Sequence, residues 1–94
     1  MKRLSLDIRI LQNALKHGLT EQDIRHAIKN TICIKYKQNE RGNLIRLSIG
    51  LLKNGQTCEL ISYVNIEHNI VVFHAMCPAR NAFVKEVQNK RSIK

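Results

Sequence analysis

A short segment, His74-Ala75-Met76-Cys77-Pro78-Ala79-Arg80, places an imidazole inside an otherwise apolar run and a guanidinium just beyond it. Cleavage of RNA by transesterification needs those two groups. A base must take the proton of the 2′-hydroxyl, and a cation must stabilise the charge that builds on the phosphoryl group. Imidazole suits the first task near neutral pH, and the fixed fork of guanidinium donors suits the second. His74 is therefore the candidate base and Arg80 the candidate catalytic cation. Arg46, Lys35, Lys37, Lys85 and Arg80 itself are the candidates for contact with nucleic acid. A plainer account stands beside this one: a half-buried His bonded to backbone, and a sheet face of solvated Lys and Arg.

Other reactive side chains lack the spacing that chemistry requires. Cys33, Cys58 and Cys77 are odd in number and contain no C-x-x-C pair, which fits free thiols better than a disulfide framework or a zinc site. Four scattered His show no ligand spacing, so no metal or other cofactor is expected. His17 reads as a cation at a helix C-terminus, and His26 and His68 read as surface residues. Cys77 falls on the opposite face of a regular strand from His74, which disfavours a Cys–His nucleophile.

The chain has 94 residues and a formal net charge of +9. That length supports one domain, over residues 1–88, with a basic tail at 89–94. Charge is uneven along it. Residues 1–46 carry ten basic and four acidic side chains, residues 47–79 one and two, and residues 80–94 five and one. A near-neutral apolar middle is thus flanked by positive segments, and if these fold to one side they form a patch that attracts polyanions. RNA is the expected partner. No apolar stretch reaches membrane-spanning length. Asp7 and Arg9 interrupt the N-terminal region before an apolar leader can form, so the expected location is the cytoplasm.

Periodicity supplies the elements that must position these residues. Ile8, Leu11 and Leu15 recur at helical spacing and predict a first helix from Leu6 to Lys16, closed by Gly18. Thr20 with Glu21 and Asp23 opens a second helix running to Lys29. From Ile32 the period changes to two, predicting strands over Ile32–Lys37, Leu44–Leu52, Thr57–Ile66 and Ile70–Met76. Glu40-Arg41-Gly42-Asn43, Asn54-Gly55 and Glu67-His68-Asn69 form the turns. On the last strand, Ile70, Val72, His74 and Met76 should share one face. Asn81 to Gln88 reads as a short C-terminal helix. The expected fold is α+β: two N-terminal helices packed on one face of a four-stranded antiparallel meander.

The segment Asn13-Ala14-Leu15-Lys16-His17-Gly18-Leu19-Thr20 resembles the "N-x-x-K-H-G-V-[ST]" signature of BrnT-like toxins, small ribonucleases in the RelE/ParE superfamily. The segment from His74 to Arg80 resembles the end of the last strand in divergent members. The likeness covers roughly residues 4–86. Where such chains carry an aromatic-x-W-D-P opening, Leu4-Ser5-Leu6-Asp7 keeps only the Asp, and Met76 replaces the Arg of an S-A-R ending. The resemblance implies a toxin-type, metal-independent endoribonuclease, and a cognate antitoxin protein as partner. The residues alone leave two further readings open. One is a non-catalytic RNA- or DNA-binding domain. The other is an interaction module that binds a partner along an exposed strand edge.

Overall fold

Ile8 and Ile10 stand two residues apart, and in the computed structural model they belong to β1 (Ile8–Ile10), a short strand. The structure describes residues 7–65 and 69–89. The expected basic tail beyond Asn89 and the turn at Glu67-His68 lie outside the described residues. A single 3-10 turn, Gln12–Leu15, follows β1. Then come α1 (Glu21–Lys29), β2 (Thr31–Gln38), β3 (Leu44–Leu51), β4 (Thr57–Val64), β5 (Ile70–Met76) and α2 (Asn81–Gln88).

The five strands form one sheet in the order β1-β5-β4-β3-β2. β2 to β5 are antiparallel neighbours, while β1 runs parallel to β5 with Ile8 opposite Ile70. This overturns the expected arrangement of two N-terminal helices on a four-stranded antiparallel meander. The sheet is mixed and has five strands, and the helices lie at Glu21–Lys29 and Asn81–Gln88. The spacing of Ile8, Leu11 and Leu15 fits a helix locally, but β5 offers an unpaired apolar edge. Asp7 O accepts from Ile70 N at 2.9 Å, and Leu11 N donates to Val72 O at 3.0 Å. Backbone pairing with a partner some sixty residues away outweighs a local preference worth only tenths of a kcal/mol per residue.

The helices also cover opposite faces of the sheet. α1 opens with a reciprocal capping box: Thr20 Oγ1 accepts from Asp23 N, and Asp23 Oδ2 accepts from Thr20 N. Its apolar stripe, Ile24, Ala27 and Ile28, packs on Cys58, Leu60, Val72 and Ala75. α2 lays Phe83 and Val87 on Ile45, Leu47 and Ile49 of the other face. Burying each of these two side chains contributes roughly 1.5–3 kcal/mol. β4 is the middle strand of the sheet, and Cys58, Glu59, Leu60 and Ser62 along it are all buried.

β5 carries an irregularity that decides where His74 points. Pairing with β4 passes from Ser62 opposite Val72 to Ile61 opposite His74, leaving Phe73 as an extra residue. A bulge of this kind inverts the alternation beyond it. Ile70, Val72 and Ala75 therefore face α1, and Phe73, His74 and Met76 face the α2 side. The expectation that Ile70, Val72, His74 and Met76 share one surface is corrected accordingly.

Gly50 is the point of closest approach between α1 and the sheet. A Cβ there would stand 2.1 Å from the carbonyl oxygen of Ala27, a backbone atom that cannot swing aside. Gly50→Ala should therefore displace α1 and cost about 2–3 kcal/mol. A urea midpoint equal to that of the unchanged protein would contradict this packing.

Candidate functional site

Alternation along β4 puts Glu59 on the α2 side, between Ile49 of β3 and Met76 of β5. Its side chain is fully buried. An ionised carboxylate in such a place survives only with cations and donors around it. Four donor atoms make five such contacts. His74 Nε2 lies 2.8 Å from Oε2, and Arg80 Nη2 lies 2.7 Å from the same oxygen. Arg80 Nε is 3.2 Å from both oxygens, and the Arg80 backbone N–H donates to Oε1 at 2.9 Å. Burial alone would raise the Glu59 pKa. The side-chain and backbone hydrogen bonds from Arg80 and the bond from His74, with the Arg80 charge, outweigh that and hold it below the ordinary carboxylate value. The same bonds push the Arg80 guanidinium upward.

This geometry defines the chemistry open to His74. A carboxylate can only accept, so its partner Nε2 carries a proton, and in the neutral ring Nδ1 is the basic nitrogen. A carboxylate that fixes the tautomer and orientation of an imidazole is a recurring arrangement for a general base. The His74 side chain keeps 22% of its surface exposed. His17, just after the 3-10 turn, sets its ring edge-on to that of His74, with centroids 5.7 Å apart and planes at 71°. Two imidazoles, one guanidinium and one buried carboxylate thus converge where β4, β5 and the start of α2 meet.

The remaining residues expected from sequence do not join this group. Lys35 and Lys37 lie on the α2 side but on β2, two strands or about 10 Å from β4. Both reach Glu86 of α2, at 3.3 and 3.8 Å, and Lys35 also donates to the carbonyls of Glu86 and Asn89. They cap and neutralise the end of α2. Lys85 is exposed on α2. Arg46 is on the opposite face, paired with Ser62 across β3 and β4, and buried to 6% exposure. Its Nη2 lies 3.5 Å from Thr31 Oγ1, and its Nη1 is buried without a partner, as are the hydroxyls of Ser48 and Ser62. It cannot share a phosphate with His74.

Sequence reasoning missed Glu59 and His17. A lone carboxylate inside an alternating, near-neutral strand was the available signal for Glu59, because a central strand has no wet face to hold it. The three cysteines are free, and burial pushes the Cys58 thiol up to about 12 and raises that of Cys77, so neither is activated as a thiolate. Among the described residues no group of three or more His, Cys, Asp and Glu side chains is placed to hold a metal ion. No helix among them is long and apolar enough to cross a membrane. The chain matches no family model, no curated protein and no solved structure.

Because the folded-state pKa of Glu59 is depressed, its contribution to stability is present above the unfolded value, about 4.3, and is lost as pH falls through the folded value. Glu59→Gln should abolish that part of the acid dependence. At neutral pH it should destabilise by about 1–3 kcal/mol, a figure reduced from the usual cost of breaking a buried pair because Arg80 is 61% exposed. Urea titrations at pH 7, 5 and 3.5 measure both effects; an unchanged slope of stability with pH would show that Glu59 carries no such charge.

Proposed function

We propose that the protein is a metal-independent ribonuclease of toxin type, acting on RNA at the Glu59–His74–Arg80 cluster. The observation that carries the proposal is the buried carboxylate holding both the imidazole and the guanidinium. In this reading Glu59 orients His74, and Nδ1 of His74 takes the 2′-hydroxyl proton. The 2′-oxygen attacks phosphorus and the bond to the 5′-oxygen breaks, leaving a 2′,3′-cyclic phosphate and a 5′-hydroxyl. The second imidazole, His17, supplies the proton that the leaving oxygen needs. Arg80 faces the phosphate with the part of its fork that Glu59 does not use. The resemblance to BrnT-like toxins supports the same class and adds a cognate antitoxin as partner. Arg46 has no part in this scheme, since it lies beneath the other face.

Incubating the protein with RNA in EDTA, with and without ribosomes, tests this directly. Cleavage ending in cyclic phosphate is expected, with His74→Ala slower by about 10²–10⁴-fold. Intact RNA in both conditions would rule out the nuclease. RNA that is bound but never cut would leave a non-catalytic binding domain.

A second reading has its own observation. β2 is an edge strand, and Asn39 N donates to Asn43 O on the β2–β3 register. Hydrogen-bonded pairs alternate from there, so the backbone groups of Ile34, Tyr36 and Gln38 point away from the sheet. Two of the large exposed apolar side chains lie on this strand, Ile32 at 60% and Tyr36 at 54%, and a third, Leu44 at 40%, lies opposite Gln38 on β3. Such an edge suits strand addition by a partner protein. Tyr36→Pro removes one outward N–H without touching the β3 ladder, and should weaken a partner bound along this edge at least tenfold. Undiminished capture of that partner would exclude the edge.

A further inference from the structure

Three of the cations near α2 are bound to carboxylates of the protein itself. Arg80 is bound to Glu59, and Lys35 and Lys37 share Glu86. A different set is not. Between the outer side of α1 and the β3–β4 hairpin lies a concave surface of about 330 Å³, whose lining includes Arg25, His26, Lys29 and Lys53. Arg25 and Lys29 are four residues apart on the helix, His26 and Lys29 three, so all three project from one side. Lys53 faces them from the hairpin. Among the described residues none of Arg25, Lys29 and Lys53 forms an ion pair. Asp23 also lines the cleft, but its carboxylate is taken up by the Thr20 amide. Arg25, Lys29 and Lys53 thus bring three fixed positive charges to the cleft against the one negative charge of Asp23.

Helix electrostatics accounts for part of this. His26 and Lys29 lie in the last turn of α1, where cations are favoured. That leaves Lys53 unexplained, since it belongs to a hairpin and faces the like charges of Arg25 and Lys29, with Asp23 the one acidic residue in the lining. Like charges gathered in a concavity focus potential outward and concentrate an anionic ligand. We infer that this cleft is a docking site for the phosphodiester backbone of single-stranded RNA, separate from the cluster that would cut it.

Placement within the fold supports the link. The Leu52–Gln56 turn that carries Lys53 also holds the segment leading to Arg80. Cys77 Sγ meets Gln56 Oε1 at 3.2 Å, and Ala79 N donates to Thr57 O at 3.2 Å. The cleft lies on the α1 side and the cluster on the α2 side, so a strand lying along α1 reaches Arg80 and His74 by rounding this hairpin end of the sheet. Leu52, half-buried at the cleft wall, offers a base an apolar surface.

The inference rests on RNA being the ligand, so its test is kept independent of cleavage. A 12-nucleotide 2′-O-methyl RNA cannot be cut through its 2′-oxygen and serves as the probe, with fluorescence anisotropy as the readout. The triple variant Arg25→Gln, Lys29→Gln, Lys53→Gln should bind at least about tenfold more weakly at low salt. Its slope of log affinity against log salt should be shallower by about 2, since each lost phosphate contact on a single strand removes about 0.7. The three side chains are on the surface, and Lys53→Gln alone, outside any helix, should show about a third of the slope change. Arg41→Gln, on the β2–β3 turn at the opposite end of the sheet, should change neither quantity. Unaltered binding by the triple variant would remove the cleft while leaving the RNA reading intact. A polyglutamate of equal charge that competes as well as the RNA would make the cleft a protein site and overturn the inference. Failure of the unchanged protein to bind the probe at all would overturn both.

Discussion

A carboxylate with no access to solvent sits on the middle strand of a sheet covered on both faces, and much of the local architecture follows from the need to compensate it. Burying a charge without partners costs more than the whole domain can spare. Glu59 is tolerated because β5 brings His74 to one oxygen and the start of α2 brings both the guanidinium and the backbone amide of Arg80. The Arg80 amide matters as much as its side chain. Arg80 is the N-cap of α2, and no side chain of its own caps that helix. Glu59 instead engages the N-cap amide, as the acidic member of a capping box does, and places negative charge at the positive end of the helix dipole. One carboxylate thus ties together a strand pairing, a loop and a helix start.

His74 reaches that carboxylate only because β5 carries one residue more than its partner. In a strand of unbroken alternation it would share the side of Val72, which lies in the core beneath α1. Phe73 is the extra residue. It stays on the α2 side, packs its ring 4.5 Å from that of Tyr63, and passes His74 to the same side as Glu59. A bulge beside a reactive group re-aims a side chain that regular pleating would direct elsewhere.

The same two features mark how far local pattern can be read. α1, the β3–β4 hairpin at Asn54-Gly55 and the C-terminal helix are legible because capping residues, turn residues and hydrophobic period agree over neighbouring positions. β1 is not. Ile8 to Ile10 satisfy either period, and the choice is made by an edge of β5 that local sequence does not display. His74 and Arg80 stand out by residue type, but the group that organises them is fifteen positions upstream of the histidine on another strand. Glu59 looks like the polar member of an alternating pair until α2 is seen to cover its face. Arg46 fails for the same reason in reverse: its alternation suggests a wet sheet face, and α1 occupies that face instead. Alternation tells which residues share a side, and only the tertiary arrangement tells which side is dry.

That distinction also governs how a net charge of +9 acts. A count treats every cation alike, whereas the fold sorts them by what they already hold. Arg80 is largely neutralised by Glu59, so its value lies in fixed geometry beside His74 more than in long-range attraction. Lys35 and Lys37 stabilise the end of α2 through Glu86. The potential left for a polyanion comes from cations without internal partners, and Arg25, Lys29 and Lys53 are such a group on the outer side of α1. In the proposed reading, separating a neutralised, well-oriented cluster from an unneutralised cleft would resolve a conflict that one site would face. A cation held rigidly by a buried carboxylate is a poor lure, and a cation free to attract phosphate is too mobile to orient a reaction.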